Sequence, residues 1–166
     1  MDYIIQKEEF RDNLSNWLFR NNQESAEYLF KNKEKIPSVF RNSKTKLYRG
    51  LAVSEEVIRL LEDNKFVTKK HTSWTKSENI AKKFITDPKY QIADKKDDKL
   101  IKIILYKTIT PNMQVLDIDS FVLFMGMQQL EFLGYDHIDL DSATTEQEVL
   151  IAKELKISKT EYKILK

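Results

Sequence analysis

The sequence predicts an α+β fold in which an N-terminal helical layer covers a largely antiparallel or mixed system of short strands. Two observations lead to this prediction. Apolar residues before Pro37 recur at helical spacing, and from Lys46 onward short strand-like runs alternate with brief helical ones. Few of the connections resemble regular βαβ units, which argues against a doubly wound parallel sheet.

The first 35 residues predict two helices. Phe10, Leu14 and Trp17 recur at helical spacing, and Asn21-Asn22 marks a break within the stretch from residue 6 to about 35. This part of the chain shows no catalytic pattern. We therefore expect residues 1–45 to form a helical region packed on a core of residues 46–166, with the whole chain forming one catalytic domain.

A strand–helix–strand–helix order follows the N-terminal region. Ser54 and Ser77 are side chains suited to cap the two helices. The predicted segments are a strand over 46–52 that ends near Gly50, a helix over 55–62, a strand over 69–74 and a helix through residues 80–84.

The second half of the chain predicts further strands separated by two polar loops. The loops span 86–99 and 134–145, and the first is long for a compact domain, as functional loops often are. Asp119 is the expected cap of an amphipathic segment over 120–133. The predicted strands cover 100–106, 113–118, a run beginning near Glu146, and 161–165.

Composition excludes several kinds of chemistry. Cysteine is absent and histidine occurs only twice, so Cys-ligated zinc and a His-rich metal site are excluded, and we expect no metal. A net charge of +2 does not indicate a dedicated nucleic-acid binder. Neither a signal peptide nor an apolar run of 18 residues is present, so we expect a cytoplasmic monomer without a membrane partner.

Three polar features stand in order at predicted strands or strand edges. They are Arg49 in Leu-Tyr-Arg-Gly-Leu, Ser73 in His-Thr-Ser-Trp-Thr, and the pair Glu146 and Glu148 in Thr-Glu-Gln-Glu-Val. If a strand begins near Glu146, the two glutamates share one face, because alternate residues of a strand do. Taken singly, each feature has a structural alternative: a surface salt bridge, a structural serine, or two solvated glutamates.

Together, the order and spacing of these features resemble the mono-ADP-ribosyltransferases of the Arg-Ser-Glu class. That class includes clostridial binary and C3-like toxins, vertebrate ecto-transferases and enzymes of large bacteriophages. The resemblance covers residues 46 to about 157 and includes a helix with Ala81 and Phe84 after the second motif. It implies a two-sheet β-core, NAD⁺ as co-substrate and no metal.

The resemblance also implies which residues contact NAD⁺. The planar guanidinium of Arg49 suits the diphosphate, and the backbone of Gly50 would hold the nicotinamide amide. Ser73 would orient the catalytic glutamate, and Thr75 stands where the family often has a second serine. In the loop over 86–99, Tyr90 is the candidate to stack on NAD⁺.

The two glutamates receive different roles from the resemblance. Glu148 matches the catalytic glutamate, since a carboxylate near the ribose 2′-hydroxyl stabilises the cationic sugar that forms as nicotinamide leaves. Glu146 would pair with an incoming guanidinium, which makes a protein arginine the expected acceptor. Tyr135 is the aromatic candidate of the acceptor-recognition loop.

Other functions remain open at this stage. Water as acceptor would make the chain an NAD⁺ glycohydrolase, and a nucleic-acid acceptor is a further alternative. A different class is a non-catalytic module that binds NAD⁺ or a partner. By analogy with the family, an effector acting in a host-cell cytoplasm, such as a phage enzyme, suits the chain.

Overall fold

The computed structural model describes residues 8–20, 22–42, 46–86, 91–92, 99–129 and 147–166. Two N-terminal helices precede a series of short strands with three helices between them, so the mixed helix-and-sheet prediction is confirmed. The elements are α1 Glu8–Arg20, α2 Gln23–Lys31, 3₁₀ turns at Lys33–Lys35 and Ser38–Phe40, β1 Lys46–Val53, α3 Glu55–Glu62, β2 Thr72–Thr75, α4 Glu78–Phe84, β3 Gln91–Ile92, β4 Ile101–Thr108, β5 Val115–Asp117, α5 Ile118–Gln129, β6 Glu148–Ile151 and β7 Tyr162–Ile164.

The described strands form one sheet that nearly divides in the middle. Its order is β5-β6-β2-β1-β4-β7, with β3 pairing parallel to β1 and the other described pairs antiparallel. Strands β1 and β4 pair along their full lengths, whereas β1 and β2 share the single register pair Tyr48↔Thr75. Because this pair joins the two halves, the predicted two-sheet core is not confirmed.

The sheet buries apolar side chains on both faces. On one face, α1 contributes Phe10, Leu14 and Trp17 to a cluster that includes Leu116 and Leu150 of the sheet. The other face packs against α3 in a separate cluster, whose members include Leu51, Val57, Leu61, Trp74 and Val149. Each fully buried large apolar side chain stabilises the fold by about 1.5–3 kcal/mol.

Three predicted helix starts are confirmed by their caps. The Asn22 side chain accepts a hydrogen bond from the backbone N–H of Ser25 at 3.0 Å, which places the predicted break between α1 and α2. The Ser54 and Ser77 hydroxyls accept from the third residue beyond them, at 3.5 and 3.4 Å. These local hydrogen bonds satisfy backbone N–H groups that a helix leaves unpaired.

The start of α5 was predicted wrongly. The capping carboxylate is Asp117, whose Oδ1 accepts from the backbone N–H of Ser120 at 3.1 Å. Asp119 instead binds the ammonium group of Lys76, with Nζ to Oδ2 at 3.1 Å. Lys76 binds both carboxylates, and Asp117 is the cap because α5 begins at Ile118, directly after it.

Several strand limits also differ from the predictions. Strand β1 continues through Gly50 to Val53, and β2 begins at Thr72. Gln91 and Ile92 lie inside the predicted polar loop but pair with Ala52 and Val53 as β3. Tertiary pairing decides these limits, because a two-residue strand has no periodicity that a sequence can display.

An ion pair cluster joins α2 to the start of β2. The Glu27 Oε2 atom lies 2.7 Å from Lys70 Nζ and 3.0 Å from Nε2 of the buried His71. The hydrogen bond from Lys70, followed by that from His71, lowers the pKa of Glu27 from 4.5 to about 2. The Glu27 side chain is about one-third exposed, at 35%, so solvent screens these interactions.

This depressed pKa predicts a contribution to acid sensitivity. A carboxylate with a lowered pKa stabilises the fold above its ordinary pKa, and this stabilisation is lost as the pH falls from 4.5 toward about 2. We expect Glu27→Gln to be less stable than wild type at neutral pH. The difference in free energy of unfolding should become smaller as the pH falls from 4.5 toward about 2. Urea denaturation at several pH values measures it, with the exposed Glu24→Gln as the control. Parallel pH curves for Glu27→Gln and wild type would contradict it.

Candidate active site

The cleft between β1 and β2 brings four of the predicted site residues together. It opens where these strands diverge from their one shared pair, and its enclosed volume is about 10 Å³, roughly that of a single water. Arg49, Gly50, Ser73 and Thr75 line it with three aromatic side chains, Tyr48, Trp74 and Phe84.

The guanidinium of Arg49 is held across this cleft. Its NH1 group donates a hydrogen bond to the backbone carbonyl oxygen of Ser73. The bond spans a place where β1 and β2 form no ladder, so the side chain bridges two diverging strands. A guanidinium carries five N–H donors in a planar fork, and this geometry suits phosphate oxygens.

Glu148 lies beside this cleft, at the start of β6. It pairs with Thr75 of β2, which in turn pairs with Tyr48 of β1. Residues directly opposite one another in antiparallel strands project from the same face, so these three side chains form a row across the sheet. The motif residues, far apart in the sequence, therefore lie on the neighbouring strands β1, β2 and β6.

The Glu148 carboxylate is buried and receives a hydrogen bond from α1. Only 3% of the residue is exposed, and its Oε1 atom accepts from Nε1 of Trp17 at 2.7 Å. The helical spacing of Trp17 predicts packing and does not reveal this contact. Spacing along a helix reports which residues are buried, and no local signal links Trp17 to a glutamate 131 residues later.

The predicted shared face of Glu146 and Glu148 stays a prediction. Strand β6 begins at Glu148, and Gln147 just before it has a φ of 49°, in the left-handed region. The side-chain alternation of a strand thus does not extend back through Gln147. Glu146 itself lies outside the described residues, as do Tyr90 and Tyr135.

The strand register separates the roles of Ser73 and Thr75. Thr75 is the residue directly opposite Glu148, whereas Ser73 pairs with Leu150. The Thr75 hydroxyl also accepts from the backbone N–H of Ser77 at 3.2 Å, next to the start of α4. The orienting role predicted for Ser73 stays a prediction, and Thr75 is the closer neighbour of Glu148 along the sheet.

Gly50 is required by the packing of α4. A Cβ atom added to Gly50 would lie 1.9 Å from the backbone oxygen of Ala81 and 2.8 Å from the Ile85 side chain. The resemblance implies only that the Gly50 backbone holds the nicotinamide amide. In the structure α4 packs against β1 at Gly50, directly beside Arg49.

A second polar cluster lies next to the start of β6. Lys76 Nζ lies 2.8 Å from Asp117 and 3.1 Å from Asp119, and its backbone N–H donates to the carbonyl of Gln147 at 3.3 Å. Burial raises the pKa of Asp119, and the hydrogen bond from Lys76 opposes this rise. These contacts tie β2, β5 and the residue before Glu148 together.

The chemistry that these groups can perform follows from their charges. A cleft with a fixed guanidinium and aromatic walls suits a phosphate-bearing ligand with planar rings. A buried carboxylate beside it suits a carbon that becomes cationic during reaction. Within the described part of the chain, no group of three or more His, Cys, Asp or Glu could hold a metal ion, and no helix is long and apolar enough to cross a membrane.

Comparisons with known proteins give one distant likeness. No protein-family model and no curated protein matches the chain. A solved structure of the ADP-ribosyltransferase Vis, in complex with the inhibitor M6, is similar at 14% sequence identity and a TM-score of 0.48, covering 94% of this chain and 68% of that one. At this distance the likeness does not bear on the site or the activity.

Proposed function

We propose that the chain is an NAD⁺-dependent mono-ADP-ribosyltransferase. In this reaction the bond between ribose C1′ and the nicotinamide nitrogen breaks, and nicotinamide leaves with the bonding electron pair. The acceptor nucleophile then bonds to C1′ and releases its proton. The observation that supports the proposal most is the placement of Arg49, Ser73 and Glu148 on the neighbouring strands β1, β2 and β6.

Each described group has a chemical task in this proposal. Arg49 binds the diphosphate of NAD⁺, and the partly exposed Tyr48 and Phe84 supply flat apolar surface for its rings. Glu148 binds the ribose hydroxyl and stabilises the positive charge that develops on the sugar. Burial strengthens this electrostatic interaction, because few water dipoles screen it.

The size of the cleft limits how NAD⁺ can bind. The cleft has room for about one water and not for a dinucleotide, so NAD⁺ would lie across its mouth or widen it. Because β1 and β2 share a single register pair, they are the strands that would separate if the cleft widened.

For the acceptor we propose an arginine side chain of a protein, recognised by Glu146 and by the loop that contains Tyr135. A carboxylate pairs well with a guanidinium and can help to remove its proton. The support is the Glu-Gln-Glu motif and its resemblance to arginine-modifying transferases. The acceptor protein is the partner that the proposal requires.

The decisive experiment measures nicotinamide release and label transfer together. Purified chain is incubated with NAD⁺ labelled in the adenylate part, alone and in a cell extract, and modified residues are mapped by mass spectrometry. Release with labelled arginine supports the proposal. Release without transfer identifies a glycohydrolase, and label on nucleic acid identifies that acceptor. Absence of nicotinamide release in every extract overturns the proposal in favour of a binding module.

Arg49→Lys provides a specific test of the diphosphate contact. Lysine keeps the positive charge but loses the planar fork and the bridge to the Ser73 carbonyl. We expect kcat/KM for NAD⁺ to fall by about tenfold to a hundredfold, as for loss of a hydrogen bond to a charged group. The control is Arg59→Lys, at an exposed position of α3. Equal kcat/KM values for the two variants would contradict the assignment.

A further inference from the structure

The hydrogen bond between α1 and β6 has a consequence for catalysis. We propose that Trp17 is a positioning residue for Glu148, so that the N-terminal helix belongs to the catalytic machinery. This inference rests on the proposed function of Glu148. Trp17 does not touch NAD⁺ in this proposal and acts through the carboxylate that it orients.

The contact itself has the features of a specific interaction. The Trp17 indole has one polar hydrogen and can only donate, whereas an ionised carboxylate can only accept. Nε1 and Oε1 are 2.7 Å apart, within the range of hydrogen bonds to charged acceptors, and both residues are buried. The bond therefore fixes the position of one carboxylate oxygen relative to α1.

Rigid surroundings hold both partners of this bond. Trp17 belongs to the same packed cluster as Phe10 and Leu14 of α1 and Leu150 of β6. Leu150 lies two residues after Glu148 and projects from the same face of the sheet. The cluster thus packs α1 against the very strand that carries the carboxylate, which leaves the bond little freedom to vary.

Packing alone does not account for tryptophan at this position. A phenylalanine or leucine could also fill an apolar site between α1 and β6, and neither would leave a buried N–H group to satisfy. The N–H group of Trp17 is directed at Glu148 rather than at a backbone carbonyl. For a carboxylate that must meet a developing positive charge, fixed orientation before the reaction is an advantage.

The first test observes the hydrogen bond by NMR and does not require the protein to turn over NAD⁺. The chain has two tryptophans, so its NMR spectrum has two indole N–H resonances. Glu148→Gln is expected to shift the Trp17 resonance and to leave that of Trp74, which donates to the Thr72 hydroxyl at 2.8 Å. In wild type, the Trp17 resonance should also move with pH as Glu148 is protonated, and this movement should vanish in Glu148→Gln.

The second test separates positioning from packing. Trp17→Phe removes the donor and keeps an aromatic ring, whereas Leu61→Ala damages the separate apolar cluster on the other face of the sheet. We expect Trp17→Phe to lower kcat for nicotinamide release by about tenfold, with KM for NAD⁺ within about twofold of wild type. Leu61→Ala should lower the urea midpoint while kcat stays within about twofold.

The outcomes distinguish this inference from the proposed function. The inference is wrong if the Trp17 resonance shifts neither with pH nor in Glu148→Gln. It is also wrong if kcat is unchanged in folded Trp17→Phe. If wild type releases no nicotinamide, the proposed function fails, and the NMR experiment still decides whether Trp17 holds Glu148. Should Trp17→Phe not fold, the comparison of wild type with Glu148→Gln remains a sufficient test.

Discussion

Glu148→Gln is expected to lower the rate of nicotinamide release by about 10²–10³-fold, the loss typical of one preorganised electrostatic contact. Glutamine keeps the size of the side chain and removes the negative charge. Its amide oxygen can still accept the hydrogen bond that Trp17 donates to Oε1, so the fold should be retained. The change therefore isolates charge from shape at the residue proposed to face the ribose.

A matched control makes this result interpretable. Glu154→Gln is the same substitution on an exposed side chain six positions further along the chain, and it should leave nicotinamide release unchanged. Urea denaturation of both variants shows whether they are folded under the assay conditions. Activity within about threefold of wild type in folded Glu148→Gln would remove Glu148 from the proposed mechanism.

The same assay separates the two glutamates of the motif. If Glu146 selects the acceptor, Glu146→Gln should still release nicotinamide while label transfer to arginine falls. Glu148→Gln should lose both activities together, because the bond to nicotinamide breaks before any acceptor can react. Equal losses of release and transfer in Glu146→Gln would contradict a role confined to the acceptor.

What the sequence could predict is what local interactions determine. The caps at Asn22, Ser54 and Ser77 lie three residues from the N–H groups that they satisfy, so the residue types alone mark where helices begin. The strands rich in branched apolar residues could be predicted because their residue types favour extended backbone. The motif order placed Arg49, Ser73 and Glu148 at strands that the structure then shows to be neighbours.

What the sequence could not predict depends on contacts between distant segments. The bond from Trp17 to Glu148 joins residues 131 positions apart, and Lys76 binds both Asp117 and Asp119 from the end of β2. The turn at Gln147 is equally hidden, since glutamine is not a residue that favours a positive φ. The residue types along the chain do not display such features.

Gly50→Ala is expected to destabilise the fold strongly. The added Cβ would lie 1.9 Å from the backbone oxygen of Ala81, closer than atoms of a folded protein approach, so α4 or β1 must shift. Overpacking of this kind costs typically 1–3 kcal/mol, and a clash with backbone belongs at or above the upper end, about 3 kcal/mol. That is a large part of a stability of about 5–15 kcal/mol. The urea midpoint measures the loss.

Second-site changes show whether the backbone contact is the cause. Ala81→Gly in the Gly50→Ala background should not restore stability, because it removes a methyl group and leaves the clashing carbonyl in place. Ile85→Val should relieve only the contact of 2.8 Å with the Ile85 side chain. Recovery of the wild-type urea midpoint in either double variant would show that side chains, rather than the α4 backbone, limit the space at Gly50.

Gly50→Ala also separates two reasons for a glycine beside Arg49. If the residue mainly allows a ligand to approach, the variant should keep its urea midpoint and lose NAD⁺ turnover. If it mainly allows α4 to press on β1, stability should fall first, and activity should fall with it as Arg49 moves. Phe84 of α4 also lines the cleft, so displacement of this helix alters the cleft itself. The geometry favours the second outcome, in which the packing of α4 on Gly50 sets the position of Arg49.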